Sequence, residues 1–182
     1  MGTARLFVCV WPDEETRAAL RGLHRKDQPG VRFVPEENWH VTLRFLGEAD
    51  PGAVAEALAD VRVPPVDAFA GPAVDLLSDH SVIVPVDGLD GWAAAVNRAT
   101  RGLGDAAVRK RFVGHITLGR LGGRARRGGY GRGGLPGLIG TPVAATLRAT
   151  ELALVVSHLR PDGARYDTLA SFPAVAGEAP RT

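Results

Sequence analysis

Apolar residues recur along the chain with two periods, two for strands and about 3.6 for helices, and the changes between them mark the elements. Arg5-Leu-Phe-Val-Cys-Val-Trp11 is a run of β-forming residues that stops at Pro12, which has no N–H to give a ladder, and it predicts a first strand. Asp13 then offers an N-cap side chain. Leu20 and Leu23, with the alanines before them, form an apolar stripe at helical spacing, so a helix is expected up to about Lys26. Residues 39–46 read as a second strand and residues 51–61 as a second helix, with proline in its first turn and Ala53, Val54, Ala57 and Leu58 turned inward. Residues 74–77 and 81–86 form a strand pair joined at Asp79-His80. A third amphipathic helix is expected over residues 89–103, closed by Gly102 or Gly104. Further strands are expected around residues 112–121, 148–156 and 165–172. Several strands follow one another directly, which favours an α+β fold with mostly antiparallel sheet over a doubly wound one.

The chain has 182 residues, 45% of them hydrophobic, enough for one sizeable core. Residues 1–173 are read as a single domain and residues 174–182 as a loosely held C-terminal tail. Within the domain, residues 122–137 carry eight glycines interleaved with four arginines and Tyr130, and are expected to be a flexible loop. The first residues are too short an apolar run for a signal peptide, and no stretch approaches the roughly 20 apolar residues of a membrane span, so a soluble cytoplasmic protein without membrane attachment is expected. Leu6 stands where a myristoylation signal at Gly2 would need Ser or Thr. Cys9, the single cysteine, has no partner for a disulfide or a zinc motif and reads as a small buried strand residue.

Net charge is only +2, but it is unevenly placed. Residues 98–132 hold ten Arg or Lys against one acid, Asp105, which leaves the rest of the chain net negative. Such a distribution suits a polyanionic ligand or a solvated basic face.

Self-comparison gives the informative feature. His40-Val-Thr-Leu-Arg-Phe-Leu-Gly47 and His115-Ile-Thr-Leu-Gly-Arg-Leu-Gly122 share the pattern H-[VI]-T-L-x-x-L-G, 75 positions apart. In each, the His and the Thr two residues on project from one strand face, while Val41, Leu43, Ile116 and Leu118 project from the other toward a core. Brought side by side, the two strands offer two imidazoles and two hydroxyls to one cleft. That set suits displacement at phosphorus, where one group deprotonates water while another protonates the departing oxygen. Histidine serves both roles near neutrality, and the hydroxyls of Thr42 and Thr117 can donate to non-bridging oxygens.

These residues, together with Pro35-Glu-Glu-Asn-Trp39, the opening Arg5-Leu-Phe-Val with Trp11-Pro12, and Gly163-Ala-Arg-Tyr-Asp-Thr-Leu-Ala170, resemble the RNA 2′,3′-cyclic phosphodiesterases of the 2H phosphoesterase superfamily, also called 2′-5′ RNA ligases. The resemblance covers roughly residues 4–173. It implies a bilobal fold of two pseudo-symmetric lobes around a central cleft, and metal-independent hydrolysis of an RNA-terminal 2′,3′-cyclic phosphate to a 2′-phosphomonoester. His40 would protonate the departing 3′ oxygen, His115 would activate water, and Thr42 and Thr117 would hold the phosphate. Phe45 and Arg120, each five residues after its His, match positions that contact substrate, by stacking on a base or pairing with phosphate. The chain departs from the family pattern at Gly114, where a proline is usual, and this suggests a looser approach to the second motif strand. It also carries the Gly/Arg segment where relatives have a helix or ordinary loop.

The expected partner is RNA or an oligonucleotide with a cyclic phosphate end, or a cyclic mononucleotide, and the expected state is a monomer. No cofactor is implied, and there is no HExxH, CxxC or carboxylate at ligand spacing beside either motif histidine. His24, His80 and His158 read as surface or capping residues, and Trp11, Trp39 and Trp92 as core. Two alternatives stay open: a non-catalytic nucleotide or RNA binder of the same fold, encouraged by Gly114, and reversible 2′-5′ ligation.

Overall fold

One unit, a strand followed by a helix and then a motif strand, occurs twice in the computed structural model, which describes residues 2–25, 30–108, 111–122, 137–161 and 163–175. The first copy consists of β1 (Ala4–Val10), α1 (Glu14–Arg21), a short β2 (Val31–Phe33) and the motif strand β3 (Val41–Ala49). After α2 (Pro51–Ala59), β4 (Val66–Ala70) and β5 (Asp75–Leu77), the second copy consists of β6 (Ser81–Asp87), α3 (Asp90–Ala99) and the motif strand β7 (His115–Leu121). β8 (Ala145–Ala149), β9 (Glu151–Arg160) and β10 (Gly163–Pro173) complete the described elements.

The strands pair in the order β10-β9-β1-β3-β7-β6-β4-β8, with β2 on β7 and β5 on β6, and every pairing is antiparallel. Each lobe is one motif strand with the strands outside it: β3, β1, β9 and β10 in one, β7, β6, β4 and β8 in the other. Both lobes draw on both halves of the chain. β8 and β9 lie in different lobes, yet only Thr150 separates them. The sheet therefore curls until its two ends approach each other, and the motif strands lie at its middle.

Alternation builds the core. Leu6, Val8 and Val10 of β1, Val41 and Leu43 of β3, and Ile116 and Leu118 of β7 enter a large cluster with Leu20, Val54, Leu58, Trp92 and Val96 of the helices. The intervening β1 residues Phe7 and Cys9 join Ala153 and Val155 in a small cluster on the other face, beneath Trp11 and Tyr166. Trp39 is fully buried. Asp13 caps α1 as expected: one carboxylate oxygen accepts from the Thr16 N–H, and the other from the Arg148 N–H of β8, tying the helix to a distant strand.

Several boundaries differ from the sequence reading. α1 stops at Arg21, whereas Lys26, its expected end, lies outside the described residues. α3 ends at Ala99 because the Thr100 hydroxyl bonds the Val96 carbonyl and the buried Arg44 guanidinium takes the carbonyls of Thr100 and Leu103, closing the helix from the side. The strand expected over residues 148–156 is two strands that serve different lobes. Most of the Gly/Arg segment, residues 123–136, and residues 176–182 of the tail lie outside the described residues. Ahead of them, Ala174 and Val175 are tied down by backbone bonds to Thr150 and Val63.

Candidate active site

β3 and β7 meet at one Cα pair, Val41 with Ile116. Antiparallel register at that pair puts Thr42 on the His115 side and His40 on the Thr117 side, so all four polar groups leave one face at the junction of the lobes. All four line a single cavity of about 1130 Å³, together with Phe45 and Arg120.

Phe45 and Arg120 reach that face only because each motif strand is irregular. An odd spacing of five from the histidine would send both side chains to the core on an unbroken strand. In β3, Thr42 pairs with Cys9 and Arg44 with Val8, leaving Leu43 as an extra residue; in β7, Thr117 pairs with Ile83 and Gly119 with Val82, leaving Leu118 extra. These matching β-bulges invert the alternation in both strands at the same motif position. Beyond them, Phe45 pairs with Phe7 and Arg120 with Ser81 on the cleft side. Phe45 is 37% exposed and carries the Arg5 guanidinium over its ring at 4.6 Å, so it is no core residue.

The histidines are held in the same way. His40 Nδ1 lies 2.7 Å from the Asn38 carbonyl oxygen, and His115 Nδ1 lies 2.7 Å from that of Val113. Each carbonyl accepts, so each Nδ1 carries the proton and each Nε2 is the basic nitrogen of its ring. Surroundings then separate the two rings. Around His40 stand the rings of Phe7, Trp11 and Tyr166, with centroids 4.9, 5.7 and 5.3 Å away. Burial in this cage pulls the His40 pKa down to about 4; the charges of His115 and Arg120 act the same way, and the bond to Asn38 opposes them. Unliganded His40 is therefore neutral at neutral pH.

Gly114 does not loosen the chain before β7. Its carbonyl accepts from the Val86 N–H, and a Cβ there would come within 2.2 Å of the Val86 carbonyl oxygen. Glycine permits close approach to β6 rather than extra freedom.

Trp11, expected in the core, is half-buried: it packs on the small cluster of Phe7 and Cys9, faces the His40 ring, and its Nε1 donates to the Thr168 hydroxyl. Trp92 is core as expected. His80 bonds the Ser78 carbonyl in a turn, His158 pairs with Asp167 at 3.0 Å and His24 is exposed; none lines the cavity. Sequence reasoning missed Tyr166, which comes from β10 and packs against both Phe7 and His40, and the arginines Arg5 and Arg32 on the cavity wall. For Tyr166 a signal existed, since it lies within the Gly163–Ala170 phrase. Among the described residues, no three His, Cys, Asp or Glu side chains converge in a metal-binding group, and no helix is long and apolar enough to cross a membrane.

Two histidines and two threonines on paired strands thus meet in one cavity at the centre of a curled antiparallel sheet. Residues 10–69 match the family model described as LigT like Phosphoesterase. Escherichia coli LigT complexed with 3′-AMP shares the fold at a TM-score of 0.71 and 23% identity, over 94% of this chain and 98% of that one. TT0787 of Thermus thermophilus aligns at a TM-score of 0.73 and 26% identity, over 96% of this chain and 100% of that one. No curated protein matches in sequence. The chain is thus similar to the LigT-like phosphoesterases in sequence over residues 10–69, and it shares the fold of LigT and TT0787 over nearly its whole length.

Proposed function

We propose that the chain hydrolyses an RNA-terminal 2′,3′-cyclic phosphate to a 2′-phosphomonoester by two-histidine acid/base catalysis. The observation that carries this reading is the pair of matching Nδ1 bonds, which commit both Nε2 atoms to proton transfer beside two hydroxyls in one cavity. His115 Nε2 takes a proton from water as the water oxygen attacks phosphorus. The P–O3′ bond breaks, and the 3′ oxygen takes the proton from His40 Nε2, leaving a 2′-phosphate and a free 3′-hydroxyl. Thr42 and Thr117 donate to the non-bridging oxygens, where negative charge grows.

His40 must be protonated to act as the acid, and the unliganded ring resists this. A bound phosphodiester supplies negative charge beside the ring, opposing His115 and Arg120, so substrate binding itself raises the proton affinity of His40. Phe45 offers a face to the terminal base, and Arg120 a cation to phosphate. E. coli LigT has been crystallised with 3′-AMP, ATP, phosphate and NADP+, which supports nucleotides as the ligand class. On this reading the chain is a cytoplasmic monomer acting on RNA ends, its domain spans residues 1–173, and the arginines within residues 122–137 add affinity for longer RNA. Ligation to a 2′-5′ linkage is the same displacement with a 5′-hydroxyl in place of water: its oxygen bonds phosphorus, the P–O3′ bond breaks, and O2′ keeps the phosphate.

The test is incubation with adenosine 2′,3′-cyclic phosphate in excess chelator, followed by identification of the monoester. Adenosine 2′-phosphate is expected. Intact substrate after prolonged incubation, or the 3′-phosphate alone, sinks the reading.

A further inference from the structure

Arg32 of β2 is the direct Cα partner of Arg120 of β7. Directly opposite residues on paired strands have Cβ atoms about 5 Å apart, and like charges so placed destabilise a sheet. Both arginines are exposed, and neither belongs to an ion pair among the described residues. Val31 and Phe33, on either side of Arg32, pack against the core, and Ser81, the other neighbour of Arg120, is small and buried. Even the backbone is fitted to this pairing: a Cβ on Gly119 would come within 2.8 Å of Val31 and 3.1 Å of the Arg32 carbonyl oxygen, so glycine there lets β2 lie close.

Both guanidinium-bearing residues line the cavity that holds the histidines, and the Arg120 charge is felt at His40 and Tyr166. Yet the pair stands off from the reacting centre. Arg120 is three residues beyond Thr117 on β7, a displacement of roughly 7–10 Å along the strand. That is of the order of one nucleotide step along an extended single strand. The cavity, at about 1130 Å³, is also larger than the roughly 300–1,000 Å³ usual for a pocket that holds one small ligand.

We propose that Arg32 and Arg120 form a second anion subsite, which takes the phosphate on the 5′ side of the nucleotide whose cyclic phosphate reacts. The inference rests on the hydrolase reading and narrows it. A nucleic acid end, or a nucleotide with a 5′-phosphate, is preferred to a bare nucleoside cyclic phosphate because only the former fills both sites. Two opposed guanidinium groups, costly to the empty sheet, become complementary once a phosphate lies between them.

Equilibrium binding of adenosine 3′,5′-bisphosphate and adenosine 3′-monophosphate tests this directly. The wild-type protein is expected to prefer the bisphosphate at least tenfold, with the preference weakening as salt rises. Arg32→Gln should cut it below threefold, Arg32→Lys should keep part of it, and Arg62→Gln, at an exposed position outside the cavity, should leave it intact. Turnover of adenosine 2′,3′-cyclic phosphate with and without a 5′-phosphate should give the same ordering in kcat/KM. Equal affinity for the two ligands, or a preference that survives Arg32→Gln, overturns the subsite while hydrolysis stands. An Arg32-dependent preference without turnover of either substrate overturns the hydrolase reading and leaves the subsite in place.

Discussion

Val41 and Ile116, both fully buried, are the Cα partners at which β3 and β7 meet, and each is flanked by the polar residues of its own motif. Core packing and site geometry thus share a pair of side chains. Ile116→Ala should lower stability by about 2–5 kcal/mol, the usual cost of emptying such a site. Because the void left behind lies in the core directly beneath the junction from which the two histidines project, kcat should also fall in the fraction that remains folded. Denaturant melts and turnover at matched temperature check this, and full kcat in a destabilised variant would show that the junction does not set the spacing.

His40→Ala and His115→Ala should each reduce turnover by about 10²- to 10⁴-fold, the range for loss of one acid or base. Neither side chain is part of the ladders that join β3 to β1 and β7 to β6, so the folds should persist, as circular dichroism would verify. Thr42→Val and Thr117→Val should cost less, since a lost hydroxyl donor leaves proton transfer intact. Should either histidine variant keep wild-type rates, acid/base pairing is not the mechanism.

How far these features were legible follows from their range along the chain. The motif strands and their inward partners Val41, Leu43, Ile116 and Leu118 came straight from period-two alternation, which is local. The bulges at Leu43 and Leu118 did not, because an extra strand residue is defined only by what the neighbouring strand omits. Those bulges decide the face that Phe45 and Arg120 occupy. Arg32 and Tyr166 were missed for a similar reason: β2 and β10 reach the cleft from distant parts of the chain, and a three-residue strand has too few positions to show a period. Gly114 was misread because letters show that glycine allows freedom but not that a neighbouring carbonyl stands where a Cβ would go.

Gly114→Ala and Gly114→Pro both introduce that Cβ. Either β6 or the start of β7 must yield, and overpacking of this kind costs about 1–3 kcal/mol. The residue that yields most readily is His115, the first of its strand, so kcat should fall further than stability alone explains. Comparison of kcat with the midpoint of thermal unfolding separates the two effects. A stable and fully active Gly114→Pro would mean that the backbone can retreat without moving the ring.

The aromatic cage makes a signed claim about pH. His40 titrates near 4 in the folded protein, against an ordinary value of about 6.5 in the unfolded chain. Between those values the unfolded state binds a proton that the native state does not, so unfolding is favoured as pH falls through that window. The contribution of His40 is constant above about 6.5, declines by about 3 kcal/mol down to about 4, and is constant again below. His40→Gln should remove that part of the pH dependence, visible as the difference between the two stability curves. Imidazole resonances should report the same midpoint directly in the wild-type protein. Adding adenosine 2′-phosphate should raise it, because an anion beside the ring opposes the charges of His115 and Arg120. A free-protein midpoint near 6.5 would mean that Phe7, Trp11 and Tyr166 do not keep water from the ring; one that ignores the phosphate would leave the proposed acid without a proton at neutral pH.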